Sequence, residues 1–166
     1  MVPFDFQPRT RVVFGPGSVT RAGQIARDLD FHRTLVVADP GIRDAGHTQR
    51  VLDALTAEGI EVFPFEALGV NPDSAMVAAG AEFAEPLRVD SILAVGGGSS
   101  LDCAKGINFI LRNGGTMADY RGYGKAATPL LPMMGIPTTA GTGSEAQSYA
   151  VIADPVTHMK MACGDA

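Results

Sequence analysis

Five short apolar runs, most of them followed by a stretch with helical spacing, set narrow limits on what this chain can become. Residues 11–14 read as a first strand, ending at the turn Gly15-Pro16-Gly17. Ser18 is then placed to cap a helix with Val19, Ala22, Ile25, Ala26 and Leu29 on its apolar face. Residues 34–38 form a compact β-branched run of the kind buried on both faces of a parallel sheet. Residues 49–58 carry Val51, Leu52 and Leu55 at helical spacing and stop at Gly59. Residues 61–65 return to strand, and Asn71-Pro72-Asp73 opens an alanine-rich helix. Residues 91–95 are the fourth strand, followed by a helix with Leu101, Ala104, Ile107, Asn108 and Leu111 on one side. Residues 130–136 are a fifth, in which Pro132 removes an amide from the ladder. Strands separated by helices of this length imply βαβ units: an α/β, Rossmann-like parallel sheet with helices on both faces.

The pattern changes after Ser148. Residues 149–153, a turn at Asp154-Pro155 and residues 159–163 read as a β-hairpin, with no closing helix after it. At 166 residues the chain supports one domain, 1–166, with a real core. A net charge of -5 gives no reason to expect nucleic acid, which needs a basic stripe. The apolar runs are too short to span a bilayer, and the N-terminus lacks the pattern of a secretory signal, so no membrane partner is expected. Cys103 and Cys163 do not make a disulfide framework, and no clustered Cys/His spacing suggests structural zinc. A cytoplasmic, reducing location fits these features.

The chain has 20 glycines, well above the usual share, and two short clusters of them mark places where backbone approach to a ligand would explain them. The first is Gly96-Gly97-Gly98-Ser99-Ser100-Leu101-Asp102-Cys103-Ala104-Lys105, which follows a strand and begins a helix. Strand, glycine turn and helix N-terminus together can hold a phosphate, because free N–H groups of the first helical turn point at the anion. The plainer alternative is a capped turn without ligand, with Ser99 as cap and Asp102 completing a weak capping box. The standard dinucleotide fingerprint would instead place three glycines after the first strand. Gly15 and Gly17 supply only two of them, and no phosphate-binding Gly-Lys-Ser/Thr occurs. Asp39, at the end of the second strand, is the acidic candidate for a ribose; beside Pro40 and Gly41 it is equally a turn former.

The second place is Pro137-Thr138-Thr139-Ala140-Gly141-Thr142-Gly143-Ser144-Glu145. Its hydroxyls and exposed amides suit a polyphosphate or ribose, and the alternative is an idle surface loop.

The two segments in this order resemble the iron-dependent (group III) alcohol dehydrogenases, whose pattern is G-G-G-S-x-x-D-x-A-K followed by P-T-T-A-G-T-G-S-E. Phe14-Gly15-x-Gly17, Val70-Asn71-Pro72 and the terminal hairpin add to the resemblance, which covers nearly the whole chain. It implies the N-terminal, dehydroquinate synthase-like dinucleotide-binding domain and NAD as cofactor. By resemblance, Gly97, Gly98 and Ser99 hold the pyrophosphate, Asp102 lies close to the cofactor, and Thr138, Thr139 and Thr142 line the same cleft. Asn71, Gln147, Tyr149 and Lys160 fall where the family places further contacts, and Asp39 where an acidic residue favours NAD over its 2′-phosphate. The family's divalent metal, iron or zinc, is held by one aspartate and three histidines of a following helical domain. His32, His47 and His158 match none of these, so that domain is expected to be absent. The resemblance further implies hydride transfer with a small alcohol or aldehyde, no turnover by this chain alone, and self-association through the face the helical domain would cover. Glycerol dehydrogenase or dehydroquinate synthase-like enzymes, and a non-catalytic dinucleotide-binding module, are the alternatives.

Overall fold

The computed structural model describes residues 10–165; the first residues of the N-terminus, read above for a secretory signal, and Ala166 lie outside them. In chain order the elements are α1 (Ala22–Asp28), β1 (Arg33–Ala38), α2 (Pro40–Asp44), α3 (His47–Ala57), β2 (Glu61–Phe65), α4 (Ser74–Ala84), β3 (Ser91–Gly96), α5 (Gly98–Asn113), β4 (Gly122–Tyr123), β5 (Met133–Pro137), β6 (Tyr149–Ala153) and β7 (Lys160–Gly164). One sheet has the order β2-β1-β3-β5 with every pair parallel. A smaller mixed sheet has the order β4-β7-β6, in which β6 and β7 form the expected hairpin, Tyr149 opposite Gly164 and Ala153 opposite Lys160.

The two central strands read as unbroken apolar runs because both of their faces are covered. Side chains alternate across a strand. Leu35, Val37, Ile92 and Ala94 therefore pack with Val77, Leu101, Ala104 and Ile107 of α4 and α5. Val36, Ala38, Leu93 and Val95 pack on the opposite side with Ala26, Val51 and Leu55 of α1 and α3. The buried hydroxyls of Thr34 and Ser91, paired in the register, satisfy each other at 2.8 Å. Where α4 crosses α5, a Cβ on Gly80 would lie 2.3 Å from Ile107 Cδ1, and one on Gly106 would lie 2.8 Å from Val77 Cγ2. Each glycine costs a helix about 1 kcal/mol relative to alanine, and here that cost allows close approach of the two helices. Ala150, Ile152, Met161 and Cys163 of the hairpin join the core on the α5 side.

Prolines occupy the borders of the parallel sheet: Pro64 within β2 and Pro137 at the end of β5, the two outer strands. The fifth apolar run is shorter than expected. Pro132 has no amide to give, so it only accepts, from the Ile92 amide at 3.1 Å, and the strand begins at Met133.

Two expectations fail near the N-terminus. Residues 11–14 are not a strand; they have no ladder partner among the described residues, and Val12 and Phe14 are exposed. Ser18 does not cap a helix: Gly17, at φ 73°, leads into a 3-10 turn over Ser18–Arg21 that runs on into α1. A helix absent from the sequence reading, α2, follows β1; it had a legible signal in Asp39 as cap and Pro40 at the first helical position. A short 3-10 helix, Met117–Tyr120, and β4 were likewise not anticipated.

Candidate functional site

The carboxyl ends of β1, β3 and β5 bring Asp39, the glycine turn and the threonine-glycine loop to one edge of the parallel sheet. This is the end of an open α/β sheet at which crevices form. At its centre is the start of α5. Gly96 has φ 145°, a value that side-chain-bearing residues rarely adopt, and a Cβ there would lie 2.3 Å from Ser100 Oγ. Gly97 is the N-cap, and it has no side chain to give the first-turn amides. Ser99 therefore does not cap the helix as expected. It lies inside the first turn, and its hydroxyl accepts from the Asn71 amide at 3.2 Å, tying the segment before α4 to the glycine turn.

The expected Ser99–Asp102 capping box is also absent. Asp102 lies a full turn into α5 and is buried, with Oδ2 accepting from the Val151 amide at 3.2 Å and Oδ1 3.5 Å from Lys105 Nζ. Lys105, quoted in the motif but given no role, has the densest polar environment of the region. Its ammonium donates to the carbonyls of Ser144 (2.6 Å), Gln147 (3.0 Å) and Tyr149 (2.8 Å). Burial lowers its pKa, opposed by the charges of Asp102 and Glu145. The legible signal was an acid–base pair three residues apart on an otherwise apolar helix face.

The threonine-glycine loop folds over the start of α5. Thr138 N donates to Gly96 O at 2.9 Å, continuing the β3–β5 pairing, and the Thr139 and Thr142 hydroxyls share a hydrogen bond at 2.7 Å. Gly141 and Gly143 take φ 78° and 80°, turning the chain where other residues would be strained. A Cβ on Gly98 would lie 2.6 Å from Thr142 Cγ2, and one on Gly97 would lie 3.2 Å from Thr139 Cγ2.

Between loop, helix and hairpin lies a cleft of about 380 Å³, lined by Asn71, Pro72, Gly98, Ser99, Asp102, Thr142, Ser144, Gln147, Val151, Ala153 and Lys160. Seven of the residues singled out from the sequence are thus brought together: Asn71, Gly98, Ser99, Asp102, Thr142, Gln147 and Lys160. Gly97 and Thr139 sit beside the cleft in contact with each other, and Thr138 belongs to the sheet edge. Tyr149 turns its ring to Tyr123, with centroids 5.6 Å apart, rather than into the cleft. Asp39 is also outside the lining. Its Oδ1 accepts from the Ile42 amide (3.2 Å), capping α2, and its Oδ2 accepts from Ser100 Oγ (3.1 Å). The capping and turn-forming role is therefore present, on the flank of the glycine turn. Ser144, Pro72, Val151 and Ala153 line the cleft without having been singled out.

A larger hollow of about 520 Å³ lies on the other side of Lys105, against Phe109 and residues 126–131. It contains none of the glycine-turn residues and is mostly apolar, so the chemistry points to the smaller cleft. Among the described residues no three His, Cys, Asp or Glu side chains gather as a metal would require. His32, His47 and His158 are exposed and far apart in the fold, in the loop before β1, at the start of α3 and at the hairpin tip. Cys103 is wholly buried, and its thiol is pushed up to about 12 by burial, assisted by the charges of Asp73 and Asp102. Among the described residues no helix is long and apolar enough to cross a membrane.

Comparison with known proteins gives a consistent result. The family model for iron-containing alcohol dehydrogenase matches residues 8–166. Alcohol dehydrogenase 4 of Schizosaccharomyces pombe is 39% identical over 153 residues, covering 92% of this chain and 36% of that protein. The solved structure of a 1,3-propanediol oxidoreductase superposes with a TM-score of 0.92 at 32% identity, covering 99% of this chain and 43% of the other. That of a sulfoacetaldehyde reductase from Bifidobacterium kashiwanohense, in complex with NAD+, gives 0.87 at 31% identity, covering 99% and 44%. The chain thus spans roughly two fifths of the length of such proteins.

Proposed function

We propose, from the premise that this chain belongs to the iron-containing alcohol dehydrogenase family, that it is the NAD-binding part of an enzyme that moves hydride between the nicotinamide ring and a small alcohol or aldehyde. The carrying observation is the glycine-capped start of α5 opening into the cleft. A helix N-terminus with no side-chain cap offers free amides and the positive end of the helix dipole to a pyrophosphate. Gly97 and Gly98 let the threonine-glycine loop close onto the helix start, where a Cβ would meet Thr139 and Thr142. The NAD+ complex of the sulfoacetaldehyde reductase supports the same choice of cofactor.

Bound NAD supplies the hydride acceptor and donor. The residues of this chain bind and orient it. Ser99, Thr142 and the first-turn amides hold the phosphates, Lys160 adds a positive charge at the cleft rim, and Asn71 and Gln147 close its sides. Asp39, on the flank of the glycine turn, accepts from a ribose 2′-hydroxyl and repels a 2′-phosphate. The residues described offer no ligand set for the family's divalent metal, iron or zinc, so alcohol turnover is assigned to the complete enzyme and not to these residues alone. A cytoplasmic location suits two buried free cysteines.

The test is a calorimetric titration with NADH and then NADPH, on the chain and on Asp39→Asn. The asparagine keeps an acceptor for the α2 cap and removes the charge. Expected is NADH binding that exceeds NADPH binding by roughly tenfold, a preference that the variant loses. Binding of neither nucleotide would refute the site. Equal binding of both by the unaltered chain would keep the site and remove Asp39 as discriminator.

A further inference from the structure

The threonine-glycine loop has little structure of its own. Between Pro137 and Tyr149 there is no helix or strand, and two glycines at positive φ make its path easy to alter. Yet it must hold Thr142, Ser144 and Gln147 in place over the start of α5. Three of the hydrogen bonds that join this segment and the first residue of β6 to the rest of the fold come from one atom, Lys105 Nζ. An ammonium has three N–H donors and here meets three carbonyls, at 2.6, 3.0 and 2.8 Å, with the Asp102 carboxylate 3.5 Å away to balance the charge. Two of those carbonyls belong to Ser144 and Gln147, whose residues line the cleft. Asp102 completes the clamp by accepting from Val151 N, on the next strand.

We infer that Lys105 is a positioning residue for the dinucleotide. Its ammonium plugs a cage of backbone carbonyls and so sets the height of the threonine-glycine loop above the glycine turn. This rests on the NAD-binding reading above. It adds a residue that contacts the loop's backbone, and the loop in turn faces the ligand. Removing the ammonium leaves three converging carbonyls with only water from the neighbouring hollow to replace it, a weaker tie that lets the loop shift. The cage recognises an N–H-bearing cation rather than charge in general, and that property makes the inference testable.

NADH is titrated calorimetrically into the chain and into Lys105→Ala, with and without methylammonium, and with tetramethylammonium as a cation of equal charge that carries no N–H. Expected is binding weakened roughly tenfold in the variant, as for loss of hydrogen bonds to a charged group, and partly restored by methylammonium alone. A folded variant that binds like the unaltered chain overturns the inference while leaving the dinucleotide reading intact, as does equal restoration by both cations. Failure of the unaltered chain to bind NADH overturns the dinucleotide reading and this inference with it. Should Lys105→Ala not fold, Lys105→Met keeps the stem and drops the charge. Faster hydrogen exchange at residues 144–151 with α5 still protected supports the clamp, and unchanged exchange there overturns it.

Discussion

Two helices on the same face of the sheet, α4 and α5, begin in opposite ways. Asp73 closes the start of α4, its side chain accepting from the Met76 amide at 2.9 Å. Gly97 leaves the start of α5 to whatever occupies the cleft. The first is a helix end made for stability: the sequence supplies its own anion-like acceptor. The second gives up that acceptor, and a substituted cap there would compete with a ligand for the same amides. An uncapped glycine start is not unusual by itself, since α3 begins at Gly46 in the same way with open space around it; what sets α5 apart is that its glycines lie under the threonine-glycine loop and beside the cleft.

The contrast can be broken or sharpened at three points. The largest effect is expected at α5. Gly98→Ala places a Cβ where Thr142 Cγ2 stands 2.6 Å away and Ser144 Oγ 3.3 Å away, so these side chains must turn aside or the loop must lift. The displaced loop carries Thr142 and Ser144 away from the phosphates, and a loss of roughly 100-fold in NADH affinity is expected, beside overpacking of about 1–3 kcal/mol in the fold itself. Unfolding free energy is expected to fall by less than this, since alanine suits a helix better than glycine does by about 1 kcal/mol. Calorimetry and urea denaturation on the same samples separate the two; a variant of lower stability but normal affinity would reverse the assignment of this helix start. At α4 the opposite is expected: Asp73→Ala lowers unfolding free energy by about 1 kcal/mol through loss of the cap, with NADH affinity nearly unchanged.

The smallest effect is expected at a third start, the 3-10 helix Met117–Tyr120, where Thr116 and Asp119 form a reciprocal capping box. The Thr116 backbone amide and hydroxyl hold the Asp119 carboxyl below the usual aspartate range. A depressed folded pKa means that the stabilisation is present above the unfolded value, about 3.9, and fades as pH falls through the lowered one. Melting temperatures of Asp119→Asn and the unaltered chain should therefore converge on acidification below about pH 4. A constant gap would show that the box does not titrate.

The parallel sheet was legible in the sequence because burial on both faces leaves a coarse signature. The residues of β1 and β3 are apolar without alternation, and the helices between them keep helical spacing. The place of the cleft was legible in the glycine turn and the threonine-glycine loop that border it, which contribute Gly98, Ser99 and Thr142 to its lining. What stayed hidden is geometry that depends on distant partners. Ser99 reads as a cap from its neighbours in sequence, yet its hydroxyl serves the amide of Asn71, which folding brings beside it. Asp102 reads as the far corner of a capping box and instead holds Val151, 49 residues on. Residues 12–14 are β-branched or aromatic, as in a strand, and composition alone cannot supply the neighbour that a ladder needs. Tyr149 follows the family pattern, but the approach of Gly164 and Tyr123 turns its ring away from the cleft.

The prolines at the two borders of the parallel sheet bear on how such chains meet one another. Each border strand withholds an amide, so a visiting strand would find a gap in the row of donors it needs to dock. Among the described residues, ladder growth from chain to chain through the parallel sheet, the route by which exposed sheets polymerise, is therefore obstructed at β2 and β5.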